Sequence, residues 1–152
     1  MDAQSLSFRL ATRSDLPLLL RLYSQLASNE HDVLELHEAE AMFSRIEAYP
    51  DYHVHLAESN GTAVGTWSLL VMANLAHRGL PTAIVENVVV DSFCRGLGIG
   101  TAMMRTAMEI ARSKGCYKLA LSSGEHRPDA HRFYENLGFK RHGFSFYTDL
   151  ED

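Results

Sequence analysis

The sequence has little cysteine, little proline and no long apolar run. Its 152 residues include two cysteines, four prolines and one tryptophan. The cysteines, Cys94 and Cys116, form no C-x-x-C pair, so the spacing indicates neither a redox motif nor a zinc site. Unpaired thiols are typical of a reducing compartment. No apolar run approaches the roughly 18 residues that a membrane-spanning helix needs, and we expect no membrane segment.

An excess of positive charge is also missing. The formal net charge is −5, with 46% hydrophobic and 22% charged residues. Such a chain lacks the basic surface of nucleic-acid-binding proteins, and we expect no nucleic-acid partner. The first ten residues carry charges and no apolar stretch of signal-peptide length. The sequence therefore predicts a cytoplasmic protein with one domain, residues 1–152.

Hydrophobic periodicity predicts strands and helices in mixed order along this domain. The predicted strands are Ser5–Ala11, Tyr52–Glu58, Thr62–Ala73, Thr82–Asp91, Tyr117–Ser122 and Phe144–Leu150. The predicted helices begin at Ser14 or Asp15, and cover Leu36–Ala48, Ile99–Lys114 and Pro128–Leu137. Asn60-Gly61 is a hairpin turn signal, which indicates that the second and third strands are antiparallel neighbours.

A polar stretch between the first two helices contains Glu30, His31, Asp32 and His37. These residue types can ligate metals, but their spacing matches no known metal site. We interpret the stretch as a solvated loop and expect no bound metal.

The residues Arg95-Gly-Leu-Gly-Ile-Gly100 lie between the apolar strand Ile84–Val90 and the helix that begins near Ile99. Glycines let a backbone approach an anion and direct its N–H groups inward. The N-terminus of the following helix adds a partial positive charge, and an arginine can contact phosphate oxygens with both arms of its fork. This order of strand, turn and helix favours binding of a phosphorylated cofactor, although the six residues alone also fit a plain strand-to-helix turn.

Two commoner nucleotide motifs are excluded by the spacing. A dinucleotide fingerprint would need glycine at Thr101 or Met103, and the Gly-Lys-Ser/Thr of a P-loop is missing.

A second motif supplies the missing context. The first motif is Arg95-x-x-Gly98-x-Gly100, which follows Val88-Val89-Val90-Asp91, and the second is Ala130-His-Arg-Phe-Tyr-Glu-Asn-Leu-Gly-Phe139. Together they resemble the GCN5-related N-acetyltransferase (GNAT) superfamily, and the resemblance covers nearly the whole chain. Within this superfamily, the segment that begins Arg127-x-Asp129-Ala130 resembles the aminoalkylphosphonate N-acetyltransferases. The strand Tyr117-Lys118 resembles the glucosamine-6-phosphate N-acetyltransferases.

The resemblance implies a fold and a cofactor. The fold is α/β, a mixed and strongly twisted sheet of six to seven strands, splayed between strands 4 and 5 and flanked by about four helices. Acetyl-CoA would lie in the splay. Its pyrophosphate would contact the loop formed by Arg95, Gly96, Leu97, Gly98, Ile99, Gly100 and Thr101, and its pantetheine arm would pair with Val88, Val89 and Val90 as an added strand.

Two residues are the catalytic candidates. Glu86 is a charge inside an otherwise apolar strand, and we interpret it as the base that deprotonates the amine; simple strand alternation toward solvent is the alternative. Tyr134 lies in the Phe-Tyr-Glu motif, and the resemblance implies that it protonates the leaving thiolate. Asn87 is a candidate for substrate orientation. Arg127 stands where the family often has asparagine, and would contact an anion on CoA or on the substrate.

The resemblance implies an acetyl-CoA-dependent N-acetyltransferase acting on a primary amine of a small molecule, and a homodimer. Two other functions stay open: acetylation of a protein or peptide, at lysine or the N-terminus, and a non-catalytic acyl-CoA-binding module. Retention of both Glu86 and Tyr134 argues against the module.

Overall fold

Strands and helices follow one another in the mixed order that the periodicity predicts. The structure is a computed structural model that describes residues 5–27, 29 and 32–151. Two units are distinguished along the chain, Met1–Ala120 and Leu121–Asp152. The strands are β1 (Leu6–Leu10), β2 (Tyr52–Ser59), β3 (Thr62–Met72), β4 (Thr82–Val90) and β5 (Lys118–Ala120); the helices are α1 (Leu16–Tyr23), α2 (Leu36–Glu47), α3 (Ile99–Ser113) and α4 (Pro128–Asn136). The single domain expected from the sequence stays a prediction.

The first unit is built on a mixed sheet with the strand order β1-β2-β3-β4-β5. Strands β1 to β4 are antiparallel neighbours, and β5 joins β4 in parallel. The β4–β5 ladder covers only three residues of each strand and ends at the pair Ile84–Ala120. Beyond Ile84, no strand in the described part of the chain pairs with this edge of β4. The predicted mixed sheet, splayed between its fourth and fifth strands, is therefore confirmed.

The helices of the first unit form where apolar residues recur at helical spacing. In α1, Leu16, Leu19 and Leu22 recur every three residues and are buried, and a proline in the first turn fits the helix start. In α3 the buried positions recur every four or so residues, at Ile99, Met103, Met104, Ala107 and Ala111. Gly115, with φ of 77°, follows this helix and ends it.

The helices cover opposite faces of the sheet. Leu56 of β2 packs in one cluster with leucines of α1 and with Phe43 of α2. The next residue, Ala57, points to the other face because side chains alternate along a strand. Ala57 pairs with Gly65 of β3, and a Cβ at Gly65 would lie 2.7 Å from the Met103 Sδ of α3. Helix α3 therefore packs on the face opposite α1 and α2, behind the glycine loop.

The sheet has five strands in the described residues instead of the six to seven expected, and the predicted strand Phe144–Leu150 is wrong. This segment has no regular secondary structure. A strand needs a neighbouring strand for its N–H and C=O groups, and the described part of the chain pairs none with it. The alternation of Phe144 and Phe146 fits a half-buried strand, yet these side chains are 91% and 90% exposed. No described helix is long and apolar enough to cross a membrane.

Candidate active site

Strand β4 contains a β-bulge at the predicted catalytic position. Trp67 of β3 stands opposite two residues of β4, Asn87 and Val88. Asn87 takes a φ of 53°, in the left-handed region that asparagine tolerates better than most residues. The bulge interrupts the regular alternation, so the adjacent residues Glu86 and Asn87 are both exposed. The Glu86 carboxylate is therefore accessible to solvent beside the β-bulge.

The residues after the bulge form the open edge of the splay. Val89 is buried in the cluster with α1 and α2, whereas Val88 and Val90 are half-buried. They lie beyond the last β4–β5 pair, so this stretch offers backbone groups that no described strand of the sheet uses on that side. An extended ligand with amide groups fits such an edge as an added strand.

The glycine loop has the conformation that an anion site requires. Gly96 and Gly98 have φ of 80° and 79°, values that a residue with a Cβ rarely adopts. Gly98 is the N-cap of α3, and no described side chain caps this helix. The first N–H groups of a helix have no intrahelical partner. They are therefore available to an oxyanion, which the helix dipole also favours.

The outer side of the loop is open. Within the described residues, no heavy atom lies within 4 Å of a Cβ built on Gly96 or Gly98. Arg95 is exposed and forms no ion pair in the described part of the chain. Open space, uncapped N–H groups at the start of α3 and an exposed guanidinium fit a pyrophosphate, so the residues present fit the cofactor that the sequence motif implies.

The start of the loop is fixed to α1 by residues that the sequence analysis missed. The Arg21 Nη1 donates to Asp91 Oδ2 at 2.7 Å, and the Ser92 N–H donates to Gln25 Oε1 at 2.9 Å. The Arg21 guanidinium holds the pKa of Asp91 below its usual value. Arg21 and Gln25 lie on or just after a leucine-rich helix about 70 residues earlier in the chain, so no local pattern could have revealed this contact.

Tyr134 belongs to the second unit. Its ring makes edge contacts with Phe133 and Phe139, at centroid distances of 5.0 and 5.6 Å. Burial raises the pKa of the Tyr134 phenol, against a smaller opposing effect of the Arg127 charge. The phenol therefore keeps its proton at neutral pH, as a general acid must.

Arg127 also belongs to the second unit and occupies the N-cap of α4. Its side chain is exposed and forms no ion pair within the residues described. Its carbonyl oxygen accepts from the His131 N–H at 3.1 Å. The guanidinium is therefore accessible, and its contact with an anion stays a prediction.

A cavity of about 460 Å³ lies between α1, α2 and the sheet. Most of its described lining is apolar and comes from the two helices and the segment between them. Its polar lining includes Ser68 of β3 and Asn87 of the bulge. Ser68 pairs with Glu86, and paired residues of antiparallel strands share a face. The cavity therefore opens on the face that carries the predicted base.

The metal alternative finds no support in the part of the chain that the structure describes. No group of three or more metal-ligating side chains is found there. Of the polar stretch considered above, Glu30 and His31 lie outside the described residues.

Comparison with known proteins identifies the family. Residues 19–139 match the model of the acetyltransferase (GNAT) family, which is most of the chain. The chain belongs to the acetyltransferase (GNAT) family. It is therefore an acyltransferase enzyme, as the glycine loop and the Phe-Tyr-Glu motif predicted together.

Relatives within the GNAT family act on small-molecule amines according to their names. The chain is 35% identical to the aminoalkylphosphonate N-acetyltransferase of Salmonella typhimurium over 138 residues, which cover 91% of this chain and 87% of that one. It is 40% identical to the glucosamine 6-phosphate N-acetyltransferase of Trypanosoma brucei brucei over 93 residues, which cover 61% of each chain. The match to this second relative thus spans about three fifths of that protein.

Solved structures of acetyltransferases share the fold. A putative acetyltransferase from Agrobacterium tumefaciens superposes with a TM-score of 0.89 at 38% identity, covering 95% of this chain and 99% of that one. The glucosamine-6-phosphate N-acetyltransferase from Arabidopsis thaliana superposes with a TM-score of 0.83 at 23% identity, covering 96% and 99%. The second likeness concerns the fold alone.

Proposed function

We propose that this enzyme transfers an acetyl group from acetyl-CoA to a primary amine of a small molecule, by direct attack within a ternary complex. The observation that carries the proposal is the open glycine loop at the N-terminus of α3, directly after the unpaired edge of β4. The named activities of the relatives, acetylation of an amino sugar phosphate and of aminoalkylphosphonates, support the choice of a small-molecule amine.

The cofactor would be held by backbone groups and one side chain. The N–H groups between Gly96 and Thr101 and the Arg95 guanidinium would bind the pyrophosphate. Val88, Val89 and Val90 would supply strand-like hydrogen bonds to the pantetheine amides. When bound, acetyl-CoA supplies an electrophilic thioester carbon and a thiolate leaving group.

Glu86 and Tyr134 would divide the proton transfers. An alkylamine with a pKa near 10.4 is mostly protonated at neutral pH, so its nitrogen must lose a proton before it attacks. The exposed carboxylate of Glu86 would take that proton, directly or through water. The Tyr134 Oη, which is protonated at neutral pH, would donate a proton to the departing sulfur. Asn87 would orient the amine, and Arg127 would contact an anionic group on CoA or on the acceptor.

We further propose that two copies form a homodimer. The C-terminal segment carries four large side chains that are almost fully exposed: Phe144 at 91%, Phe146 at 90%, Tyr147 at 88% and Leu150 at 91%. Such a density of exposed apolar groups marks an interaction surface, and symmetric pairs are the commonest oligomers. Light scattering would show twice the chain mass of 17.0 kDa.

A cytoplasmic location is part of the proposal. Cys94 and Cys116 are free thiols, which supports this location.

A thiol-release assay with a panel of acceptors tests the proposed function. The purified chain is supplied with acetyl-CoA and with small primary amines, a lysine-containing peptide or no acceptor. We expect thiol release that depends on a small amine, together with an N-acetylated product in the mass spectrum. Release with the peptide alone would favour a protein acetyltransferase. Binding of acetyl-CoA without release under any condition would favour a non-catalytic module.

A further inference from the structure

We propose that the acceptor amine carries an uncharged apolar group, aliphatic or aromatic, which occupies the cavity between α1, α2 and the sheet. The inference rests on the proposed function and names the chemical class of its acceptor. It departs from the phosphate- and phosphonate-bearing acceptors named for two of the relatives.

The cavity has the size and lining of a small-ligand site. Its volume of about 460 Å³ falls in the range of roughly 300–1,000 Å³ that is typical of ligand pockets. Fourteen of its seventeen described lining residues are aliphatic, aromatic or methionine side chains, such as Leu20, Met42 and Phe43. An apolar group that leaves water for such walls gains roughly 25 cal/mol for each Å² of buried surface.

The charge of the described lining favours an uncharged group over an anion. No lysine, arginine or histidine is found among the described lining residues, and the single charged one is the carboxylate of Asp32. A phosphate placed there would lose its hydration without gaining a cation, which is costly. Under this proposal Arg127 would contact the cofactor.

The polar groups of the cavity lie where the amine must be. Ser68 and Asn87 are contributed by the paired strands at the bulge, and Ser68 is the register partner of Glu86. Tyr23, from the same cavity wall, adds a phenol whose pKa is raised by burial and lowered to a smaller extent by the Thr66 and Ser68 hydroxyls. An acceptor with its amine at this polar end and its apolar body between the helices would present nitrogen to the predicted base.

Three matched amines test the proposal: 2-phenylethylamine, ethanolamine and O-phosphoethanolamine, which differ only at the end of an ethylamine chain. We expect kcat/KM for thiol release to be highest for 2-phenylethylamine, by about 10-fold or more over ethanolamine, because a ring is buried. O-phosphoethanolamine should be the poorest of the three. A preference for O-phosphoethanolamine over 2-phenylethylamine would overturn the proposal and leave the proposed function intact.

A charge placed in the lining gives the second arm. Met42 lines the cavity at an exposed edge of α2, so Met42→Lys keeps an unbranched side chain and adds a cation. We expect it to lower kcat/KM for 2-phenylethylamine about 10-fold and to raise that for O-phosphoethanolamine. Ala41→Lys is the matched control, because Ala41 is the exposed neighbour on the same helix and does not line the cavity. Equal effects of the two lysines would contradict the assignment.

Calorimetry tests binding at the apolar site independently of catalysis. Since binding does not require turnover, binding of 2-phenylethylamine to the chain is titrated directly, whether or not any amine of the series supports thiol release. Binding that Met42→Lys weakens and Ala41→Lys does not would still support the apolar site. No detectable binding to the wild-type chain, with or without CoA, would overturn it.

Discussion

Burial raises the pKa of the Tyr134 phenol further above neutrality, so the hydroxyl carries its proton at neutral pH. Tyr134→Phe removes the proton and keeps the ring that packs against Phe133 and Phe139. We expect kcat to fall by about 10² to 10⁴-fold, the usual contribution of a general acid, while the Kd for acetyl-CoA changes little. Tyr49→Phe is the control, since that tyrosine is exposed and has no assigned role. Wild-type turnover in Tyr134→Phe would show that Tyr134 is only structural.

Glu86 is expected to act on an amine that arrives protonated. Glu86→Gln removes the base at nearly constant shape, so the loss of kcat/KM should be greatest at neutral pH. It should shrink as the pH rises toward about 10, where free amine becomes abundant. A pH–rate profile measures this, with Glu109→Gln on the exposed side of α3 as the charge-matched control. A loss that is the same at every pH would indicate that Glu86 positions the substrate instead.

The sequence identified these residues by motif and not their conformations. An isolated charge in an apolar strand was enough to single out Glu86, because carboxylates are costly in such a place. The bulge beside it depends on the pairing of Asn87 and Val88 with Trp67 of another strand, about 20 residues away. The ion pair of Arg21 with Asp91 likewise joins distant segments. Contacts of this kind have no periodicity, so a single sequence does not reveal them.

At the scale of elements, the position of the glycine loop depends on how closely α3 approaches β3. A Cβ on Gly65 would lie 2.7 Å from Met103 Sδ and 2.9 Å from the Val89 carbonyl oxygen. The thioether can move, but the backbone oxygen of a paired strand cannot move cheaply.

Gly65→Ala should therefore lower the free energy of unfolding by about 1–3 kcal/mol, the usual cost of overpacking. Urea denaturation measures it. Gly143→Ala is the control, with no described heavy atom within 4 Å of its Cβ, and should stay within about 0.5 kcal/mol of the wild type. Equal stability of the two variants would contradict this account of the packing.

Most elements were predictable because their signals are local. The leucines of α1 and the apolar run of β4 lie within the elements that they specify, and the glycine that ends α3 lies next to it. The segment Phe144–Leu150 has the same strand-like alternation, and the prediction there was wrong. Alternation indicates that a strand could bury one face, but a partner must exist to receive it. In our proposal, that surface belongs to the interface with a second copy.

At the scale of the whole molecule, the stability of the fold should depend on pH through one buried histidine. His55 is 7% exposed and stacks on Trp67 with ring centroids 4.7 Å apart. Burial lowers its pKa from 6.5 to about 4. The unfolded chain therefore binds a proton at a higher pH than the folded chain does, and stability should fall as the pH drops from about 6.5 to about 4. The loss from this group is about 3 kcal/mol.

Urea denaturation between these pH values, followed by the fluorescence of the single tryptophan, measures the effect. His55→Gln does not titrate and should remove most of the slope. His126→Gln is the control, because His126 is exposed and should leave the slope unchanged. A slope in His55→Gln as steep as in the wild type would show that other groups cause the acid sensitivity.

The measurement that tests the central claim most directly is a calorimetric titration of acetyl-CoA into three forms of the chain. Gly98 and Gly115 flank α3, with φ of 79° and 77° and no described heavy atom within 4 Å of either Cβ. Gly98→Val and Gly115→Val therefore impose a similar backbone strain at opposite ends of one helix. We predict that the wild type and Gly115→Val bind acetyl-CoA similarly and that Gly98→Val binds it at least about 10-fold more weakly. Unchanged affinity in Gly98→Val would contradict the cofactor site on which the proposed function rests.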